Sequence, residues 1–143
     1  MDILRRNTDY ALRAMANLAR HYGQKAVSTR EIAAAEDISY QLACKLMQKL
    51  SKTKLVGSRM GINGGFRLGR PPSQISLLNV IKTIQGPLKL NHCSLNPNMC
   101  ARSKNCPVHR RLIPLQKYMN DYFDKTSLKS ILNASKKRKA GNK

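Results

Sequence analysis

The stretch "VSTREIAAAEDISYQLACKLMQKLSKTKLV", Val27 to Val56, constrains the fold more than any other part of the chain. Ser28 is followed three residues later by Glu31, the spacing at which two side chains satisfy each other's free backbone N–H groups at a helix start. A short helix through Glu36 is expected. Asp37, Ile38 and Ser39 interrupt the pattern. Ser39 can then cap a second helix, in which Leu42, Leu46 and Leu50 repeat every four positions. The stretch therefore reads as two short helices meeting at a tight turn. The outward face of the second carries Tyr40, Gln41, Lys45 and Gln48, groups that bond phosphates and base edges when such a helix enters a major groove. Ser28, Thr29 and Arg30 at the first helix start, and the cap Ser39, complete the candidate contacts there. Cys44, in the same helix, is expected to be a small packing residue.

The flanking segments extend this plan. Upstream, Ala11, Met15, Leu18 and Tyr22 form one stripe of an amphipathic helix over Thr8 to Tyr22, ended by Gly23. Downstream, "LVGSRMGINGGFRLGRPP" reads as strand, glycine-rich turn and strand, with Asn63-Gly64 expected to supply the positive φ angles of a tight hairpin. Helix, turn, helix and hairpin is the winged-helix arrangement, so the fold class expected is mainly α with a small β-hairpin. Arg59, Asn63 and Arg67, with Arg70 beyond them, would lie against a phosphate backbone. The plainer alternative is a solvated hairpin whose arginines face only water. Ser76 opens another helix with Leu77, Val80, Ile81 and Ile84 inward, ending at Gly86-Pro87. From Pro107, Leu112, Leu115, Met119 and Tyr122 space as the seam of a helix that pairs with another, and a homodimer is preferred over an intramolecular contact. Four segments are expected: a winged helix-turn-helix domain over 1–86, a ligand-binding loop over 87–109, a dimerisation helix and short C-terminal helix over 110–134, and a basic disordered tail over 135–143.

Charge selects the partner. Lys and Arg number 27 against 7 for Asp and Glu, a formal net charge of +20. Taking the five cations of "SKKRKAGNK" from those twenty leaves +15 on the body, so the excess is not a property of the tail. Such a surface seeks a polyanion, nucleic acid foremost. A membrane surface is disfavoured by the lack of Trp and of a basic helix with bulky apolar anchors. No apolar run is long enough to span a bilayer, and no signal peptide is evident, so a cytoplasmic location is expected. There the cysteines would be thiols or metal ligands rather than disulfides.

Three of the 4 cysteines and two of the 3 histidines crowd into "HCSLNPNMCARSKNCPVH", His92 to His109. Cys93, Cys100 and Cys106 would offer three thiolates, and His109 an imidazole three positions after the last. Structural zinc is chemically acceptable, but the paired C-x2-C knuckle is absent. An iron-sulfur cluster tolerates wider ligand spacing and one non-thiolate corner. Reduced loop thiols are the unadorned alternative. His92 reads as a loop residue and His21 as a helix surface group, and no nucleophile and base stand in a catalytic setting. The chain is not expected to be an enzyme, and no small-molecule substrate is evident.

Taken together, "TDYALRAM", the helix pair, "GINGGFRLGRPPSQISLLNVIKTIQGPL" and the three-cysteine loop resemble the Rrf family of bacterial winged-helix regulators, the group of the IscR-like and NsrR-like proteins, over about Asp2 to Leu132. The resemblance implies a dimer that binds palindromic promoter DNA as a transcriptional repressor under control of an iron-sulfur cluster, with nitric oxide or redox state among the signals. Carried over by position, Cys93, Cys100 and Cys106 match the thiolate ligands. His109 matches the fourth ligand of IscR-like members, and Asp9 the aspartate that NsrR-like members lend from the partner subunit. The two-iron and four-iron forms stay open. The sequence departs from the family at the wing, where Met60 replaces an arginine before the first glycine, and in the recognition helix, so operator sequence does not transfer. The competing reading is a zinc-stabilised RNA- or ribosome-binding protein of similar charge.

Overall fold

The structure is a computed structural model that describes residues 2–94 and 96–140. Its elements run α1 (Arg6–Arg20), α2 (Thr29–Glu36), α3 (Tyr40–Lys52), β1 (Val56–Arg59), β2 (Gly65–Leu68), α4 (Leu77–Gln85), α5 (Pro107–Lys125) and α6 (Leu128–Ala140), with single 3-10 turns at Pro72–Gln74, His92–Ser94 and Pro97–Met99. This is a winged helix extended by a long helix and a returning C-terminal helix. Ala11, Met15 and Leu18 of α1, Ile32 of α2 and Leu46, Met47 and Leu50 of α3 meet in one core with Leu55, Ile75 and Val80.

Helix α1 ends earlier than its apolar stripe suggests. The N–H groups of His21 and Tyr22 turn back to the carbonyls of Leu18 and Ala19, three residues before each, so the last turn tightens. That tightening rotates Tyr22 off the buried stripe, and it lies exposed.

The hairpin also differs from expectation. Arg59 pairs with Gly65 and Val56 with Leu68, which leaves Met60 to Gly64 as a five-residue loop rather than a two-residue turn. The positive φ angles fall on Gly61 (106°) and Gly65 (146°), not on Asn63-Gly64. Gly65 explains the displacement. Val27 exchanges two backbone hydrogen bonds with Phe66, at 2.9 and 2.8 Å, an isolated antiparallel bridge that ties the wing to the body. A Cβ on Gly65 would stand 2.5 Å from the Val27 carbonyl oxygen. The glycine is therefore spent where the wing meets the body, and the loop closes elsewhere.

The C-terminal segment also corrects the sequence reading. Helix α6 continues through Ala140, across the first part of the tail expected to be disordered, while residues 141–143 lie outside the described residues. Ala, Lys and Arg, which dominate "ASKKRKA", are good helix formers, so a helix already nucleated on Leu128 can propagate through them. Leu128 is fully buried in the core, and Ile131 and Leu132 pack against it. The return is fixed by backbone bonds from Leu77 N–H to the Thr126 carbonyl and from Leu128 N–H to the Ile75 carbonyl, both 2.9 Å. The winged-helix elements α1 to α4 thus share their core with α6.

Candidate nucleic-acid interface and cysteine loop

The helix pair is set by its caps. Glu31 N–H donates to Ser28 Oγ at 3.2 Å and Ser28 N–H donates to Glu31 Oε2 at 2.8 Å. The second of these bonds is the main cause holding the Glu31 carboxyl below its ordinary range. Asp37 takes a left-handed φ of 53° at the turn, and Ser39 Oγ accepts from Leu42 N–H at 3.1 Å to start α3. This start buries Ala43, Leu46, Met47 and Leu50 and turns Tyr40, Gln41, Lys45 and Gln48 to solvent on one side. The Arg30 guanidinium lies 5.5 Å from the Tyr40 ring centre, joining the two helix starts by a cation–π contact. Cys44 is half-buried beside Tyr40, and its thiol is the main cause holding the Tyr40 phenol above its ordinary value. It is thus a partner of the exposed face.

Arg59 and Arg67 stand on the same face of the hairpin, since Arg59 pairs with Gly65 and Arg67 with Gly57. Both are exposed, as are Asn63 and Arg70. No acidic residue occurs between Asp37 and Asp121, so α3, the wing and the cysteine loop carry no carboxylate.

Three cations, Arg5, Arg6 and Lys49, escaped the sequence reading. Arg5 and Arg6, just before and at the start of α1, line a cleft of about 390 Å³ with Lys45 and Lys49 of α3. Gln85, at the end of α4, holds this corner: its Oε1 accepts from Arg5 N–H at 3.0 Å and from Thr8 Oγ at 2.7 Å, and its Nε2 donates to the Ile3 carbonyl at 2.9 Å. Four cations beside the exposed face of α3 suit a backbone phosphate. The only sequence signal was the Arg5-Arg6 pair, which nothing local connects to residue 45.

The cysteine loop runs from the end of α4 to the start of α5. Cys106 caps α5, its Sγ accepting from His109 N–H at 3.5 Å. Cys93 donates to Asn91 Oδ1 at 3.4 Å. Cys93, Cys100 and Cys106 are all free thiols of intermediate exposure. Among the described residues, no three His, Cys, Asp or Glu side chains converge closely enough to hold a metal ion. The donor chemistry nonetheless fits an iron-sulfur centre. Three accessible thiols share one loop, one of them at the N-terminus of α5, and the buried Nδ1 of His109 has no hydrogen-bond partner. Asp9 lies on α1, exposed, with Arg13 at 3.9 Å. His92 sits in the loop, and His21 caps α1 with Nδ1 2.9 Å from the Asn17 carbonyl.

The loop is latched to α5 by Gln116, the one buried residue of that helix among those described. Gln116 Oε1 accepts from Leu90 N–H at 2.8 Å and Ser94 Oγ at 3.0 Å, and its Nε2 donates to the Leu88 carbonyl at 2.8 Å. The expected seam of α5 divides around this amide. Leu112 and Met119 turn half inward, while Val108, Leu115, Tyr118 and Tyr122 form an outward apolar stripe. Ile3 and Leu4 border its C-terminal part.

A helix pair with a polar outer face, braced by a basic wing and followed by a long helix, defines a winged-helix DNA-binding regulator. The chain belongs to the Rrf2 family, described as iron-dependent transcriptional regulators, which it matches over residues 4–134. It is 32% identical over 130 residues to a candidate helix-turn-helix transcriptional regulator of Aquifex aeolicus, covering 90% of each chain. It is 35% identical over 98 residues to the regulator NsrR of Halalkalibacterium halodurans, covering 63% of this chain and 67% of that one. Among solved structures it resembles the T. potens IscR at a TM-score of 0.74 and 25% identity, covering 92% of this chain and 86% of that one. The fold also matches CymR, the global cysteine regulator of B. subtilis, at a TM-score of 0.80 and 24% identity, covering 94% and 98% of the two chains. These relatives are regulators of transcription rather than enzymes. No helix among the described residues is long and apolar enough to cross a membrane.

Proposed function

We propose that this chain is a homodimeric, sequence-specific repressor whose hold on promoter DNA is set by an iron-sulfur cluster at the cysteine loop. The observation that carries this reading is the position of Cys106, which is both a candidate ligand and the cap of α5. A change at that thiol acts on the helix bearing the outward apolar stripe. Val108, Leu115, Tyr118 and Tyr122 supply the dimer seam, with Ile3 beside it. Two recognition helices must stand roughly 34 to 36 Å apart to read half-sites one turn apart, so a small adjustment along α5 alters the fit to DNA.

Cys93, Cys100 and Cys106 would hold the cluster, with Asp9 of the partner subunit or His109 at the fourth position. When bound, the cluster would supply iron chemistry that responds to nitric oxide or redox state. The chain's own residues do the rest. Gln116 keeps the loop in register with α5, the caps Ser28 and Ser39 aim α3, and Tyr40, Gln41, Lys45 and Gln48 face the major groove. Thr29 and Arg30 approach the backbone beside them, and Arg59, Asn63 and Arg67 approach it from the wing.

Anaerobic purification with visible spectroscopy and iron and sulfide analysis tests the reading, followed by promoter binding before and after nitric oxide. Colour, iron and a shift in DNA affinity are expected, all lost on changing Cys93, Cys100 and Cys106 to Ser. Colourless, iron-free protein that binds DNA identically with all three replaced refutes the regulatory part.

A further inference from the structure

The most exposed large apolar side chains among those described stand at the tip of the wing, where Met60 is 93% and Ile62 104% exposed. The loop that carries them is closed by a 2.9 Å bond from Gly64 N–H to the Gly61 carbonyl. Below it Gly65 abuts Val27, and Val27 is bonded to Phe66 on both sides. The tip thus rides on a braced stalk that keeps both apolar groups in water.

Its surroundings are cationic. Arg59 and Arg67 share one face of the stalk, Arg70 follows at its exit, and no carboxylate lies in this whole stretch of sequence. A polyanion is the partner such charge selects. Within duplex DNA, a methionine and an isoleucine find apolar cover between stacked bases. Side chains of this kind enter the minor groove, separate a base step and kink the duplex. The minor groove, about 6 Å wide, admits a narrow hairpin tip where it excludes a helix.

We propose that Met60 and Ile62 form an apolar wedge that enters the minor groove of bound DNA and partly unstacks one base step, while Arg59 and Arg67 hold the flanking phosphates. This inference rests on the DNA-binding reading above. It adds a source of specificity that needs no hydrogen bond to a base, because pyrimidine–purine steps unstack most readily and are favoured beneath the wing.

The test uses the intact protein and duplexes that it retains from a randomised library. End-to-end energy transfer reports bending, and 2-aminopurine placed at successive steps reports unstacking. The parent protein is expected to bend the duplex and to raise 2-aminopurine emission at one step per wing. The variant Met60→Ser/Ile62→Ser loses both signals and about tenfold in affinity, with its salt dependence unchanged. Met60→Leu/Ile62→Leu keeps both signals. Arg59→Ala/Arg67→Ala lowers the salt slope by about two. Both tip positions already face water, so thermal unfolding of the tip variants should match the parent. Unchanged bending and emission in the serine variant overturn the wedge and leave the DNA-binding reading intact. A parent protein that retains no duplex overturns both. If the serine variant instead loses binding to anionic phospholipid vesicles while its DNA signals persist, the tip is a membrane contact and the wedge is overturned.

Discussion

The guanidinium of Arg13 donates from Nε to Glu36 Oε2 and from Nη2 to the Glu36 carbonyl, each at 3.0 Å, fastening α1 to the end of α2 just before the left-handed turn at Asp37. The Glu36 side chain is only 8% exposed, and its other contact is Asn17 Nδ2 at 3.5 Å. Replacing Arg13 with Ala leaves a buried carboxylate poorly matched and should cost about 2 kcal/mol in urea unfolding. Changing both residues together, Arg13→Met with Glu36→Leu, should cost less than the single change, because the stranded charge is gone.

At the wing, Gly65→Ala should destabilise more than Gly61→Ala. Both glycines have positive φ, but only at Gly65 would the new methyl meet backbone, the carbonyl of Val27, whereas nothing lies within 4 Å at Gly61. Backbone strain alone costs about 1 to 3 kcal/mol, so Gly61→Ala should fall in that range and Gly65→Ala should exceed it by thermal unfolding.

Docking of α6 is tested at Leu128, which is fully buried. Leu128→Ala removes a core side chain and should cost about 2 to 5 kcal/mol in chemical denaturation, a penalty that a merely peripheral helix would not show.

The cationic cleft beside α3 makes a prediction about salt. If Arg5, Arg6 and Lys49 each neutralise a phosphate, replacing any one by Ala should weaken binding evenly across DNA sequences and lower the slope of log affinity against log salt by about one. Replacing Gln41 should instead change which sequences are preferred.

Acid should loosen the first helix start. The Glu31 carboxyl is held below its ordinary 4.5 chiefly by the Ser28 N–H, with the Ser28 hydroxyl and Lys25 assisting. A lowered folded value means the contribution is complete above the unfolded value and is lost as pH falls through the folded one. The stability gap between the parent and Glu31→Gln should therefore close below about pH 4.5 in circular dichroism melts.

What could be read without coordinates follows from distance along the chain. Ser28 with Glu31, Ser39 and Ser76 each act within one helical turn, and these starts fall as local spacing dictates. The hairpin's existence was legible too, but its loop was not, because Gly65 answers to Val27, far away in sequence. Arg5 and Lys45 meet only when α1 and α3 share a core, so periodicity within either helix is silent about their cleft. Gln116 shows the same limit: a polar residue amid an apolar seam reads as surface until Leu88, Leu90 and Ser94 supply the groups that bury it.

Because Leu128 completes the core begun by Ala11, Met15 and Ile32, the winged helix has a missing stave until α6 has left the ribosome. A nascent chain grown only as far as the wing still has an open seam along α1, the helix against which α6 packs. A chain cut before Leu128 is therefore expected to present its recognition helix on a looser base than one that carries α6.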